Sequence, residues 1–134
     1  MRFPSWCAMA SVLLVSACAT TRGGTQVRAE LNEEFRIRTG ETAQVDGLRL
    51  RFMRVSEDSR CPINARCVRA GSAKVAVELR TPGSAPAEAL LETPDNPKNA
   101  AYGAYVIEVL DLQPGREVNA PTPRFEAAFR VQSR

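Results

Sequence analysis

Four stretches of this chain alternate apolar and charged residues with a period of two, and nothing else in it narrows the possible folds so far. Phe35 and Ile37 alternate with Arg36 and Arg38 in FRIRT, and Leu48, Leu50 and Phe52 alternate with Arg49 and Arg51 in LRLRF. KVAVELR repeats the device with Val75, Val77 and Leu79, and RFEAAFRV does so with Phe125, Ala127, Phe129 and Val131. Successive side chains of an extended backbone point to opposite faces, so each stretch reads as a half-buried strand whose apolar residues form the core face.

A fifth run, AYVIEVLDL, is almost continuously apolar, which predicts a central strand covered on both sides or one whose phase shifts at a bulge. Met53 and Val55 fall out of phase with Leu48 and Leu50, which predicts a bulge or bend there too. RTGET, VDGL, RTPGSAP, TPDNPKN and LQPGRE between the strands hold the Gly, Pro, Asn and Asp of turns. No long segment has helical periodicity, and the short APAEALLE fits a helix or an edge strand. Six to eight strands joined by short turns predict an all-β domain, an antiparallel β-sandwich with a small closed β-barrel as the alternative.

The amino terminus stands apart from this pattern. MRFPSWCAMASVLLVSAC has a positive charge at Arg2, an apolar run from Ala8 to Val15 and small residues before Cys18, the layout of a secretory signal. The run is too short for a membrane-spanning helix, which takes about 20 residues. Val15-Ser16-Ala17-Cys18 resembles the lipobox of bacterial lipoprotein precursors. That resemblance implies cleavage before Cys18, a diacylglyceryl group on its sulfur and an acyl group, such as palmitate, on its amino group. One acyl chain holds a protein marginally at about 0.8 kcal/mol per buried methylene, and two or more hold it stably. With Ala19 where an inner-membrane retention signal has aspartate, the resemblance points to the outer membrane, facing the periplasm or the cell surface. The chain then divides into a signal peptide (1–17), a lipidated flexible tether (18–27) and a single β-sandwich domain (28–134). The 134 residues suffice for one core.

Of four cysteines, Cys7 leaves with the signal and Cys18 carries lipid, so Cys61 and Cys67 remain. Outside the cytoplasm such a pair is expected to be oxidised. The loop it closes is small, and loop-closure entropy gives about 2 kcal/mol, so the bond shapes a loop more than it stabilises a domain. A structural zinc site needs four ligands, and the chain has no histidine and only these two thiols. CPINARC lacks the Cys-x-x-Cys spacing of a redox pair, although Arg60 and Arg66 would favour a thiolate. No metal or other cofactor is expected.

The same lack of histidine removes the usual triads and general bases. Paired carboxylates could still support hydrolase chemistry. Glu57 and Asp58, however, are neighbours on an extended stretch and point to opposite sides. Asp58 reads as a local turn acceptor, and Glu30, Glu33 and Glu34 as a solvated strand start. A carboxylate-based hydrolase is therefore a minor alternative to a non-catalytic domain. A net charge of +3, with the basic residues scattered along the chain, lacks the footprint of a nucleic-acid binder.

The loop SEDSRCPINARCVRAG (56–71) is the candidate binding element, through Asp58, Arg60, Pro62, Asn64, Arg66 and Arg69. Asp58-Ser59-Arg60-Cys61-Pro62, Cys67-Val68 and Ala70-Gly71 resemble the motif of a family of small, uncharacterised bacterial lipoproteins. Arg69 stands where that motif has tryptophan. The resemblance names relatives whose flanking strands agree in kind, and it carries over no function and no catalytic residue. Two functions follow as expectations: an envelope module that binds a protein or glycan or organises the surface, and an inhibitor of a protease or other hydrolase that presents Arg60 or Arg66 on a preorganised loop. A loop lying flat, with Asp58 and Arg60 bonded to its backbone, would be a brace.

Overall fold

The computed structural model describes residues 25–93 and 99–134. The signal segment, Cys18 and the tether up to residue 24 lie outside the described residues. Nine strands are present among them: β1 (Gln26–Ala29), β2 (Glu34–Arg38), β3 (Thr42–Val45), β4 (Leu48–Asp58), β5 (Ala73–Arg80), β6 (Ala87–Glu92), β7 (Ala100–Tyr102), β8 (Tyr105–Gln113) and β9 (Glu126–Ser133). Each period-two stretch forms the strand it predicts, and APAEALLE supplies the edge strand β6. Gln26 and Val27 belong to β1, so the sheet begins slightly before the boundary read from composition.

The strands form two sheets, ordered β1-β3-β4-β5-β6 and β2-β9-β8-β7. Each sheet keeps two edges, so the domain is a sandwich and not a closed barrel. All pairings are antiparallel except β1 with β3, which run parallel. The chain passes from β1 to β2 in the facing sheet, returns for β3 to β6, and crosses again for β7 to β9, with β9 closing against β2.

The inner faces carry the alternating apolar residues. Phe129 of β9 lies at the centre, stacked on Phe35 at 6.0 Å between ring centroids and meeting Phe52 edge-on at 5.8 Å. These rings tie β2 and β9 to β4 of the other sheet, the kind of offset and T-shaped contact that aromatic quadrupoles favour. Tyr105 adds a polar tie: its hydroxyl donates to Asp46 Oδ2 at 2.8 Å and accepts from the Gly47 amide at 3.2 Å. It thereby fixes the two-residue β3–β4 turn, where Asp46 adopts a left-handed φ of 51°.

The phase slips seen in the sequence are real bulges. The β4–β5 register shifts between Phe52 and Arg54 and again between Val55 and Glu57. The β8–β9 register shifts between Val109 and Asp111, which is how AYVIEVLDL keeps Ile107, Val109 and Leu112 in the core. The bulged half of β4 delivers the chain to the cysteine loop.

Candidate functional site

The segment from Ser59 to Ser72 connects β4 to β5, and its two ends are pinned together. Ser59 donates its amide and its hydroxyl to Ser72 O at 2.9 and 2.8 Å, and the Ser72 amide donates back to Ser59 Oγ at 3.2 Å. Gly71 passes so close to Ser59 that a Cβ would overlap the Ser59 carbonyl group. Glycine is required there by space and not by backbone angle. Further out, Cys61 and Cys67 form a disulfide with their Cα atoms 5.8 Å apart.

Arg60 locks the loop from within. Its guanidinium is bidentate to Asp58, with Nε to Oδ1 at 2.8 Å and Nη2 to Oδ2 at 2.7 Å. Nη1 donates to Leu112 O at 2.7 Å and Nη2 to Pro114 O at 3.1 Å. The two side chains are only 14% and 17% exposed, so this fork-to-fork pair is largely withdrawn from water. Burial pushes the Asp58 carboxyl up, but the hydrogen bonds and charge of Arg60, helped by Arg116, outweigh it and hold the group below the usual carboxylate range.

A second strip of chain grips the loop's outer half. Past Pro114, Arg116 O accepts from the Ile63 amide at 2.8 Å, the Val118 amide donates to Asn64 Oδ1 at 3.1 Å, and Arg116 Nη1 donates to Arg60 O at 3.3 Å. Gly115 leaves room for the Ile63 side chain, whose Cγ2 would lie 2.7 Å from a Cβ. The loop thus lies on the β8–β9 connection and is braced at several points along its length.

The six expected binding residues divide into two groups. Asp58 and Arg60 face inward and are spent on each other, Asn64 caps the neighbouring strip, and Pro62 accepts the Ala65 amide at 3.1 Å. Arg66 and Arg69 are exposed and have no carboxylate partner among the described residues. Beside them Val68 is fully exposed and Ile63 is 68% exposed, with Val118 half-exposed on the adjoining strip. Arg116 carried no sequence signal as a site residue, since an isolated basic residue in a turn-rich segment looks like ordinary surface.

A groove of about 720 Å³ runs between Val55–Asp58 of β4 and the strip from Pro114 to Phe125. Three carboxylates border it. Asp58 is bound by Arg60 and Glu57 by Lys74 Nζ at 2.7 Å, while Glu117 is exposed. A glycosidase-type acid needs a carboxyl raised toward neutrality, and Asp58 is displaced the other way. Among the described residues no three His, Cys, Asp or Glu side chains gather as a metal site.

Comparison with known proteins adds no relative: no family model, curated protein or solved structure matches the chain. The fold and the site define a β-sandwich with a clamped disulfide loop at one end.

Proposed function

We propose that this chain is a lipoprotein of the bacterial envelope, anchored through Cys18 to the outer membrane, whose β-sandwich is a non-catalytic module that binds a protein or glycan partner. The observation that carries the binding role is the division of labour in the loop. Arg60, Asp58 and the disulfide hold it from inside, while Ile63, Val68, Arg66 and Arg69 are left outside. A loop held in one shape loses little conformational entropy on docking, and apolar side chains flanked by guanidinium groups suit the centre and rim of a protein contact. The neighbouring groove offers a concave border to the same contact.

Affinity capture from envelope extract tests this. The intact chain retains a partner that is lost when Val68→Asp and Arg69→Glu are introduced, and Cys18→Ser releases the chain from the membrane fraction. Equal capture by both forms would overturn the loop as the contact.

Arg66 favours a second reading, inhibition of a hydrolase by the same loop, because its side chain is exposed beside the disulfide whereas Arg60 is not available to a cleft. Inhibition of arginine-directed proteases by purified protein, abolished by Arg66→Ala, distinguishes it from a simple docking module.

A further inference from the structure

Far from the loop, the outer face of the five-stranded sheet carries a row of cations that folding assembles from distant parts of the chain. Strand register places Arg28 of β1 beside Gln44 of β3, Gln44 beside Arg49 of β4, and Arg49 beside Arg80 of β5. At about 4.8 Å between strands, the row spans roughly 14 Å. Arg49 and Arg80 are direct cross-strand neighbours, an arrangement in which like charges repel. They border a cleft of about 310 Å³ with Gln44 and the β5–β6 turn at Thr81–Gly83.

The rest of that face is treated differently. Towards the loop end, Arg54 is paired with Glu88 at 2.6 Å and Lys74 with Glu57 at 2.7 Å. At the other end Arg28, Arg49 and Arg80 have no carboxylate in ion-pair reach among the described residues. The acidic groups nearest along the strands are Glu78 and Glu88 one row away, the latter held by Arg54, Glu30 two residues beyond Arg28, and Asp46, which accepts from Tyr105. The sheet face is therefore polarised, with paired charges near the loop and unpaired positive charge roughly 13–20 Å further along the sheet.

We propose that this basic row docks on an anionic phospholipid surface. A flat row of unpaired guanidiniums matches a plane of phosphates better than it matches a small ligand, and each basic residue near such a surface adds about fivefold to binding. Position argues the same way, in a step that rests on lipidation of Cys18. Gln26 opens the edge strand of this very sheet, and eight residues of extended chain reach at most about 29 Å. The anchor therefore keeps this sheet within reach of the headgroups, and the row decides which face turns to them. The disulfide loop, at the far end of β4, stays clear of the contact.

The test uses the full chain with Cys18→Ser, which cannot be acylated, sedimented with phosphatidylethanolamine vesicles with and without phosphatidylglycerol. The readout is the ratio of the two partition coefficients, so any contribution of the apolar amino terminus cancels. Phosphatidylglycerol raises binding, added salt reverses the rise, and Arg49→Gln/Arg80→Gln lowers it about 25-fold. Arg49→Lys/Arg80→Lys retains it. Arg36→Gln/Arg38→Gln removes the same charge from the opposite sheet and leaves the ratio within about twofold, since that face points away. Indifference to phosphatidylglycerol, or equal losses in the two glutamine variants, would overturn the proposal. Mass spectrometry of Cys18 in chain extracted from membranes tests the anchor separately.

Discussion

Arg60 shows how much one side chain decides here. It is the arginine beside the first cysteine, the position from which an inhibitory loop would present it, yet it faces inward to Asp58 and to two backbone carbonyls. Those carbonyls belong to Leu112 and Pro114, some fifty positions on. A carbonyl is the same group in every residue, so nothing in the sequence could mark them as partners. Arg60→Ala leaves a largely buried carboxylate with only the residue-60 amide as donor and strips two backbone carbonyls of the guanidinium, and is expected to destabilise the domain by about 2–3 kcal/mol in denaturant titration. Arg60→Lys recovers less than half of this, because an ammonium cannot reproduce the fork. Asp58 gives a pH prediction. Its folded pKa lies below the unfolded one, so its contribution is present above about pH 4 and disappears as acid titrates the folded carboxyl. Melting curves of Asp58→Asn should therefore lie below the wild type at neutral pH and converge with it in acid. Gly71→Ala forces a Cβ onto the Ser59 carbonyl group, and a loss of about 1–3 kcal/mol is expected. The DSRCP…AG motif thus has a physical content: Asp58, Ser59, Arg60 and Gly71 close and lock the loop, leaving Ile63, Arg66, Val68 and Arg69 exposed between them.

At the level of elements, the period-two strands and the β4 bulges were legible because both are local: a phase slip such as Phe52 to Val55 appears directly as a break in alternation. APAEALLE was not decided, since eight residues of mixed character satisfy either geometry until a neighbour pairs with them. Pairing with β5 settles it, leaving Leu91 buried and Leu90 half-exposed on the outer face. The disulfide and the Arg60 clamp act on the same β4–β5 connection, and their effects should separate. Cys61→Ala/Cys67→Ala is expected to cost about 2 kcal/mol and lower Tm by roughly 10 °C. Because Ile63 and Asn64 remain bonded to the strip from Arg116 to Val118, amide exchange at Ile63 should stay slow in that variant and become fast when Arg60→Ala is added.

For the molecule as a whole, stability rests on the seam between the sheets. Phe129 touches the ring of its own sheet neighbour Phe35 and that of Phe52 across the core. Phe129→Ala should cost about 3–5 kcal/mol, which calorimetry would read as a large fall in Tm. The charge distribution is likewise a property of the whole. Arg28, Arg49 and Arg80 are scattered in the chain and look like dispersed solubilising charge. The register of four strands brings them into one row, while the loop with Arg66 and Arg69 occupies the other end. Two surfaces at opposite ends of one sheet would let the domain hold a membrane and a partner together.

The sequence by itself determined the class of this protein: alternation of apolar and charged residues dictates half-buried strands, since an extended backbone sends neighbouring side chains to opposite faces. It also marked Cys61 and Cys67 as a pair, and the structure joins them. Tertiary structure alone decided that the sheets stay open, that Arg60 turns inward and that three distant arginines line up. Each of these depends on which residues far apart in the chain become neighbours, and on carbonyl acceptors that every residue carries alike.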